Sequence, residues 1–261
     1  MGTISGYING FIRYKSLLYE LVTRDIKVRY RRSVLGILWT LLNPILMMII
    51  MTIVFSQLFR FEIENFPIYL FCGNIIFNFM TIATNDSMQS ILGGASLIKK
   101  VYIPKYIFPV SKVLSAAVNL VFSYIAMLLV MMILDVEFHA TMLLTPFVVL
   151  YVMLFSIGLG LILATMMVFF RDIAHLYGVF TTAWMYLTPL FYPESLLRDK
   201  SPWFLLLNPM YHYIKYMRDI TLYQTVPSFM ENLMCLGISM LMLVLGMVLF
   251  YKKQDKFILY I

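Results

Sequence analysis

Nothing in this sequence can cradle a nucleotide phosphate on a glycine-rich loop, because no G-x-x-x-x-G-K-[ST] run occurs in its 261 residues. H-E-x-x-H and G-x-S-x-G are missing as well, so neither a zinc hydrolase nor a serine nucleophile announces itself. Only two cysteines are present, Cys72 and Cys235, each inside an apolar run and without metal-ligand spacing. They imply no disulfide framework and read as packing residues. The three histidines, His139, His175 and His212, are scattered near the ends of apolar runs and read the same way. Charge is scarce too: 13% of residues are charged against 62% hydrophobic. That balance lies far outside soluble domains and makes the chain an integral membrane protein. The net charge of +7 comes from cations that flank apolar spans, so the anion it suits is lipid and no nucleic-acid partner is expected.

What is present begins with a block of cations. Arg24, Lys27, Arg29, Arg31 and Arg32 fall within nine residues, and the next charged residue is Arg60. Such a stretch sits at a membrane surface and hands the chain into the bilayer. Residues 1–34 mix Tyr7, Ile8, Phe11, Leu17, Leu18 and Leu21 with charged positions, which predicts an amphipathic segment in the interface plane. Residues 35–261 then form a single transmembrane domain of six spans, at about 35–59, 67–92, 110–134, 143–170, 173–192 and 228–251. The first is too long for a signal-peptide core and is expected to stay in the membrane. Asn43-Pro44 predicts a kink or local break in it. Between the last two spans, residues 194–222 hold two apolar pieces broken at Asn208-Pro209, each too short to cross, and these read as re-entrant or interfacial half-helices.

Several stripes stand out along the spans. Asn74, Asn78, Thr81, Asn85 and Gln89 share one helical face, which lipid does not tolerate and which must meet protein or a water-filled path. Asp86 lies one residue off that stripe and is an intramembrane carboxylate, a functional candidate by default. Tyr177, Thr181, Trp184, Thr188 and Tyr192 recur at helical spacing in the fifth span. Ser111, Ser115, Asn119 and Ser123, and likewise Ser156, Gly160 and Ala164, have the spacing of close helix packing. After Gly93-Gly94 a basic turn runs through Ser96, Leu97, Ile98, Lys99, Lys100, Val101 and Tyr102 to Pro104, with apolar residues on one face of a short helix. It reads as a loop that another element grips, or as a positive-inside anchor. The segments assigned to one side carry 15 cations and four acids, those on the other five and eight, which predicts both termini in the cytoplasm.

The whole arrangement resembles the transmembrane permeases of ABC-type polysaccharide exporters, the Wzm-like O-antigen, capsule and teichoic acid permeases. The likeness rests on RDIKVRYRRSVLG at 24–36 with Trp39 and Asn43-Pro44, on LIKKVYIP at 97–104 with Ile107-Phe108-Pro109, and on Phe169-Phe170-Arg171-Asp172. Thr188-Pro189-Leu190-Phe191-Tyr192-Pro193 and Leu207-Asn208-Pro209-Met210 extend it nearly end to end. The resemblance implies a multi-pass protein of the bacterial cytoplasmic membrane, a homodimer with a polymer channel between the subunits. It implies that two copies of a separate ABC ATPase subunit bind ATP and Mg, this chain itself being no enzyme and holding no cofactor. ATPase docking then falls on about 16–34 and 95–105, with Ser96 to Tyr102 at its centre, and an outward gate on 194–222, including Asn208, Pro209 and Tyr211. The cargo implied is an undecaprenyl-diphosphate-linked polysaccharide. Its diphosphate would be drawn to Arg24, Lys27, Arg29, Arg31 and Arg32 with Lys99 or Lys100. A sugar polymer needs hydrogen-bonding groups and flat aromatic surfaces to slide on, which the Asn74, Asn78, Thr81, Asn85 face and the Tyr177 to Tyr192 face both offer, one as channel lining and the other as lining or packing. Competing readings are an ABC permease for a drug or lipid and a membrane-bound glycan transferase.

Overall fold

The structure, a computed structural model, describes residues 14–30, 35–36, 38–58, 63, 65–198 and 202–261. Residues 1–13 of the predicted interface segment, and Arg31 and Arg32, lie outside these, as does the side chain of Arg29. The described chain is helical: α1 (Lys15–Tyr30), α2 (Leu38–Leu58), α3 (Phe66–Gly93), the short α4 (Ala95–Ile98), α5 (Ile107–Ile133), α6 (Thr145–Phe169), α7 (Ile173–Leu187), the short α8 (Ser195–Arg198) and α9 (Pro202–Leu207), α10 (Pro209–Thr221) and α11 (Phe229–Lys253). Single 3₁₀ turns precede α6 (Ala140–Leu144) and follow α11 (Gln254–Leu259).

Local chemistry sets the boundaries. Pro67 and Pro146 sit in the first turns of α3 and α6, where a missing N–H costs nothing. α11 opens on a capping box, in which Glu231 N–H donates to Ser228 Oγ and Ser228 N–H donates to Glu231. α2 runs through Pro44 without the local break that the sequence offered as the alternative to a kink. A proline there removes one ladder donor, and the rest of a 21-residue helix holds.

Among the described residues, five helices are long and apolar enough to cross a membrane; the predicted fifth span is not one of them. α7 stops at Leu187 after 15 residues, about 22 Å at a rise of about 1.5 Å per residue. The cause is Pro189, which drives the preceding Thr188 out of the helical region to φ −97, ψ 132. The helical face expected to continue to Tyr192 therefore ends at Thr188.

α3 is the centre of the packing and is mostly buried, whereas α2 is mostly exposed and lies at the outside. α3 packs against α5 and α6, and α6 against α11. α6 and α11 cross backbone to backbone at Gly158 and Gly246, where an added Cβ on either would run into the other helix's main chain. Gly160 meets the Ser87 side chain on α3 in the same way.

The two ends of the bundle are identifiable. At one, Phe169 packs on Phe257 and Tyr260, and Phe257 shares a cluster with Leu18 and Leu21 of α1 and with Ile98 and Ile103. At the other, Tyr151 and Tyr216 both donate to Asn232 Oδ1, and Thr141 Oγ1 donates to Ile220 O. α6 ends at the first and α11 begins at the second.

Candidate functional site

The basic turn after α3 is a fixed tip. Gly94 allows it to bend under Phe108, whose ring lies 2.7 Å from where a Cβ would stand. Ile98 and Ile103 are buried in the cluster with α1 and Phe257, and they anchor the tip from below. Of the seven residues expected to dock a partner, Ser96, Lys99, Lys100, Val101 and Tyr102 face outward, Leu97 is half-buried and Ile98 is buried. Tyr102 is 93% exposed, an unusual placement for a tyrosine and the tip's most prominent feature. Lys105 serves the fold instead: its Nζ donates to Gln254 O at 2.7 Å and lies 5.9 Å from the Phe257 ring centroid.

α1 lies beside this tip. Leu18 and Leu21 face inward, and one turn further Asp25 receives Lys112 Nζ of α5 at 2.7 Å. The single acid in the basic block is thus a fastener for its helix. Arg24 and Lys27 remain on the open side, Arg24 with a 3.5 Å contact to Asp25 among the described residues.

The two faces expected to line a channel are not equivalent. On α3, Asn78 is exposed and Asn74, Thr81 and Asn85 are half-buried; Asn85 Nδ2 donates to Thr81 O, while Thr81 Oγ1 is buried without a partner among the described residues. On α7, Tyr177, Thr181 and Thr188 are buried and Trp184 is half-buried. The Tyr177 hydroxyl meets Thr84 Oγ1 at 2.7 Å, so this face is turned onto α3. The outward face of α7 carries Leu176, Val179, Thr182 and Tyr186. Tyr192 lies beyond the helix, its hydroxyl donating to Tyr186 O and its carbonyl accepting from Tyr69. Asp86 is half-buried.

The half-helices are knotted to the Thr188 segment. Asn208 caps α10 by accepting from Met210 N–H, accepts from Trp184 Nε1 at 2.8 Å and donates to Thr188 Oγ1 at 2.9 Å. Pro209 is half-buried in the first turn of α10, and Tyr211 Oη donates to Glu194 at 2.8 Å. Burial, with the Glu194 carboxylate beside it, pushes the Tyr211 phenol up to about 12. Lys215 bridges Asp219 and Glu231, fastening α10 to the start of α11.

Sequence reasoning missed Arg218. Its side chain is 5% exposed and has no carboxylate partner among the described residues; it donates to Pro189 O at 2.8 Å, Leu190 O at 3.1 Å and Tyr69 O at 3.3 Å. Its guanidinium carbon lies 3.4 Å from the Tyr69 ring centroid, and Gly73 leaves the space it fills. A signal did exist: Arg218 follows Tyr211 and Ile214 at i+7 and i+4, which puts a cation on the buried face of α10.

Comparison with known proteins follows the same outline. The family model described as ABC-2 type transporter matches residues 16–222, from α1 to the residue after α10. An O-antigen export system permease protein RfbA from Myxococcus xanthus is 33% identical over 248 residues, covering 94% of this chain and 95% of its own. A protein of the same description from Klebsiella pneumoniae is 26% identical over 92% of this chain and 93% of its own. The polysialic acid transport protein KpsM of Escherichia coli is 20% identical over 95% of this chain and 97% of its own.

Proposed function

From the premise that this chain belongs to the ABC-2 type transporter family, we propose that it is the membrane-spanning subunit of an ATP-driven exporter of polysaccharide, of the O-antigen or capsule kind. The observation that carries this is the 33% identity to an O-antigen export permease along nearly the full length of both chains. It is a multi-pass protein of the inner membrane, whose apolar helices agree with that placement. Energy comes from a separate ATPase carrying ATP and Mg, and the chain works as a homodimer with two such subunits.

The exposed tip, Ser96 to Tyr102, is the ATPase dock, and its anchorage beside α1 supports that role. Tip, α1 and C-terminal turn share one cluster, which supports a cytoplasmic end holding both termini. α7 and the non-helical residues after it supply the sixth crossing, because the chain must return from Phe169 to Ser228. α8 to α10 are the outward gate elements. The open Asn74, Asn78 side of α3 lines the conduit, while the Tyr177, Thr181, Trp184, Thr188 face packs within the subunit. The lipid carrier's diphosphate is met by Arg24 and Lys27, with Arg29, Arg31 and Arg32 of the same block, and with Lys99 or Lys100. Teichoic acid remains a cargo of the same chemistry.

The test is deletion of the gene, which should trap lipid-linked glycan on the cytoplasmic face, together with co-purification of an ATPase subunit. Tyr102→Ala combined with Lys99→Glu should abolish that co-purification while the protein stays in the membrane. Normal surface glycan after deletion would overturn the exporter reading.

A further inference from the structure

Between α1, the start of α2 and the middle of α5 lies a groove of about 1110 Å³, lined by Glu20, Thr23, Arg24, Lys27, Leu38 and Phe122 among others. Its volume exceeds the roughly 300–1,000 Å³ of a small-molecule pocket. The α1 wall carries Arg24 and Lys27 with Glu20, Thr23, Ile26 and Val28, and Leu35, Leu38, Leu41 and Phe122 complete a mostly apolar lining. Arg24 and Lys27 are three residues apart on one helical face, about 4.5 Å along the axis, so one phosphate can reach both. Glu20 lies one turn before Arg24, about 6 Å along the helix, and about 10 Å before Lys27, which leaves Lys27 the cation further from the acid. Asp25 is turned to Lys112, 2.7 Å away, on the inner side of α1. Lys27 has no ion pair among the described residues.

We propose that this groove is a resident site for one anionic glycerophospholipid, with its phosphate at Arg24 and Lys27 and an acyl chain along Leu38, Leu41 and Phe122. The occupant is fixed by charge complementarity joined to a mostly apolar lining: a free anion leaves that lining wet, and a zwitterionic lipid brings its own cation to two fixed ones. A lipid held there fills the space between the interface helix and the bundle, and so sets where α1 sits beside the Ser96 to Tyr102 tip. It deepens the reading of α1 as a membrane-surface element and leaves the identity of the cargo aside.

The full-length permease is purified from nanodiscs containing equal phosphatidylglycerol and phosphatidylcholine, without ATP or glycan, and retained lipid is counted by native mass spectrometry. One phosphatidylglycerol per chain is expected, at least tenfold over phosphatidylcholine. Arg24→Gln with Lys27→Gln should reduce its retention about tenfold or more. Leu41→Trp, which fills the groove and keeps both cations, should do the same. Lys99→Gln with Lys100→Gln should leave it unchanged. Equal retention of both lipids, retention that survives the first pair, or retention lost equally at Lys99 and Lys100 overturns the site. Export measured on the same variants separates the two readings. Loss of retained lipid with normal export supports the site and removes the carrier-headgroup role of Arg24 and Lys27; normal retention with lost export does the reverse.

Discussion

Arg218→Met tests what holds the Thr188 to Tyr192 segment in place. The substitution keeps an unbranched stem that reaches about as far as Nε and removes three donors and the cation stacked on Tyr69. Tyr69 O lies within α3 and keeps its helical partner. Pro189 O and Leu190 O lie in the bent, non-helical stretch after α7 and would be left buried without a donor among the described residues. Each such carbonyl costs about 1–3 kcal/mol, so the pair costs about 2–6 kcal/mol. Relief from burying a cation returns part of that. A net loss of about 2 kcal/mol raises the population of the locally opened state about 30-fold.

Cys72 is the built-in reporter, since it precedes Gly73, is 0% exposed and lies beside Thr221. Maleimide labelling of Cys72 in nanodiscs, read peptide by peptide by mass spectrometry, should accelerate about 30-fold in Arg218→Met. Arg218→Lys should be no better, because an ammonium keeps the buried charge but cannot match a planar fork that reaches three carbonyls at once. If Cys72 labels at the wild-type rate in Arg218→Met, or if lysine restores protection fully, the carbonyl clamp is not what closes this region.

Gly158→Ala should be severely destabilising, since its Cβ meets the α11 main chain and no flexible side chain can yield; loss of the monodisperse peak on heating in detergent measures it. Gly73→Ala should cost less, about 1–3 kcal/mol, because the nearest atoms, 2.9 and 3.0 Å away, are the ends of Leu190 and Arg218. Its effect on Cys72 labelling should shrink when combined with Arg218→Met, which vacates the contested space. Asp25→Asn should loosen α1 by about 1 kcal/mol, given that the pair with Lys112 is partly exposed. A double-mutant cycle with Lys112→Gln, read as protease sensitivity of α1, should show that the two single effects are not additive.

The crossing helices were legible because hydrophobic length is a one-dimensional quantity, and the structure moves most of their ends by a few residues. The exposed tip was legible for a similar reason: Gly93-Gly94, three cations and Pro104 leave no other way to build the turn. α7 was misjudged at its end because hydropathy runs on to Tyr192, while the backbone answers to Pro189. Its inward face was ambiguous for a physical reason. Within lipid, both Tyr177 and Tyr186 lie on acceptable surfaces, and only the partner decides; Thr84 supplies one to Tyr177. Arg218 is the clearest case of tertiary information. Its role depends on two carbonyls freed by Pro189 nearly thirty residues earlier, and no local pattern joins them.

These contacts also constrain how the end of the bundle proposed as the outward gate would open. Asn208 ties the first turn of α10 to Trp184 and Thr188, and Arg218 ties its last turns to Pro189 and Leu190. Moving α10 alone would break both sets, whereas moving it together with residues 188–190 keeps the Asn208–Thr188 bond and the Arg218 bonds to Pro189 and Leu190. Its contacts with Trp184, Tyr69, Glu231, Asn232 and Ser239 are lost by either route and do not separate the two. The first also orphans buried carbonyls at about 1–3 kcal/mol each, so the joint motion is favoured. In a Cys235→Ser background, cross-linking the Thr188→Cys and Asn208→Cys thiols should therefore leave glycan export near wild type. Cross-linking native Cys72 to the Thr221→Cys thiol, which pins α10 to α3, should stop export and recover on reduction. Export that survives the Cys72 cross-link, or that fails only with the 188–208 one, would show that α10 moves against the segment it is tied to.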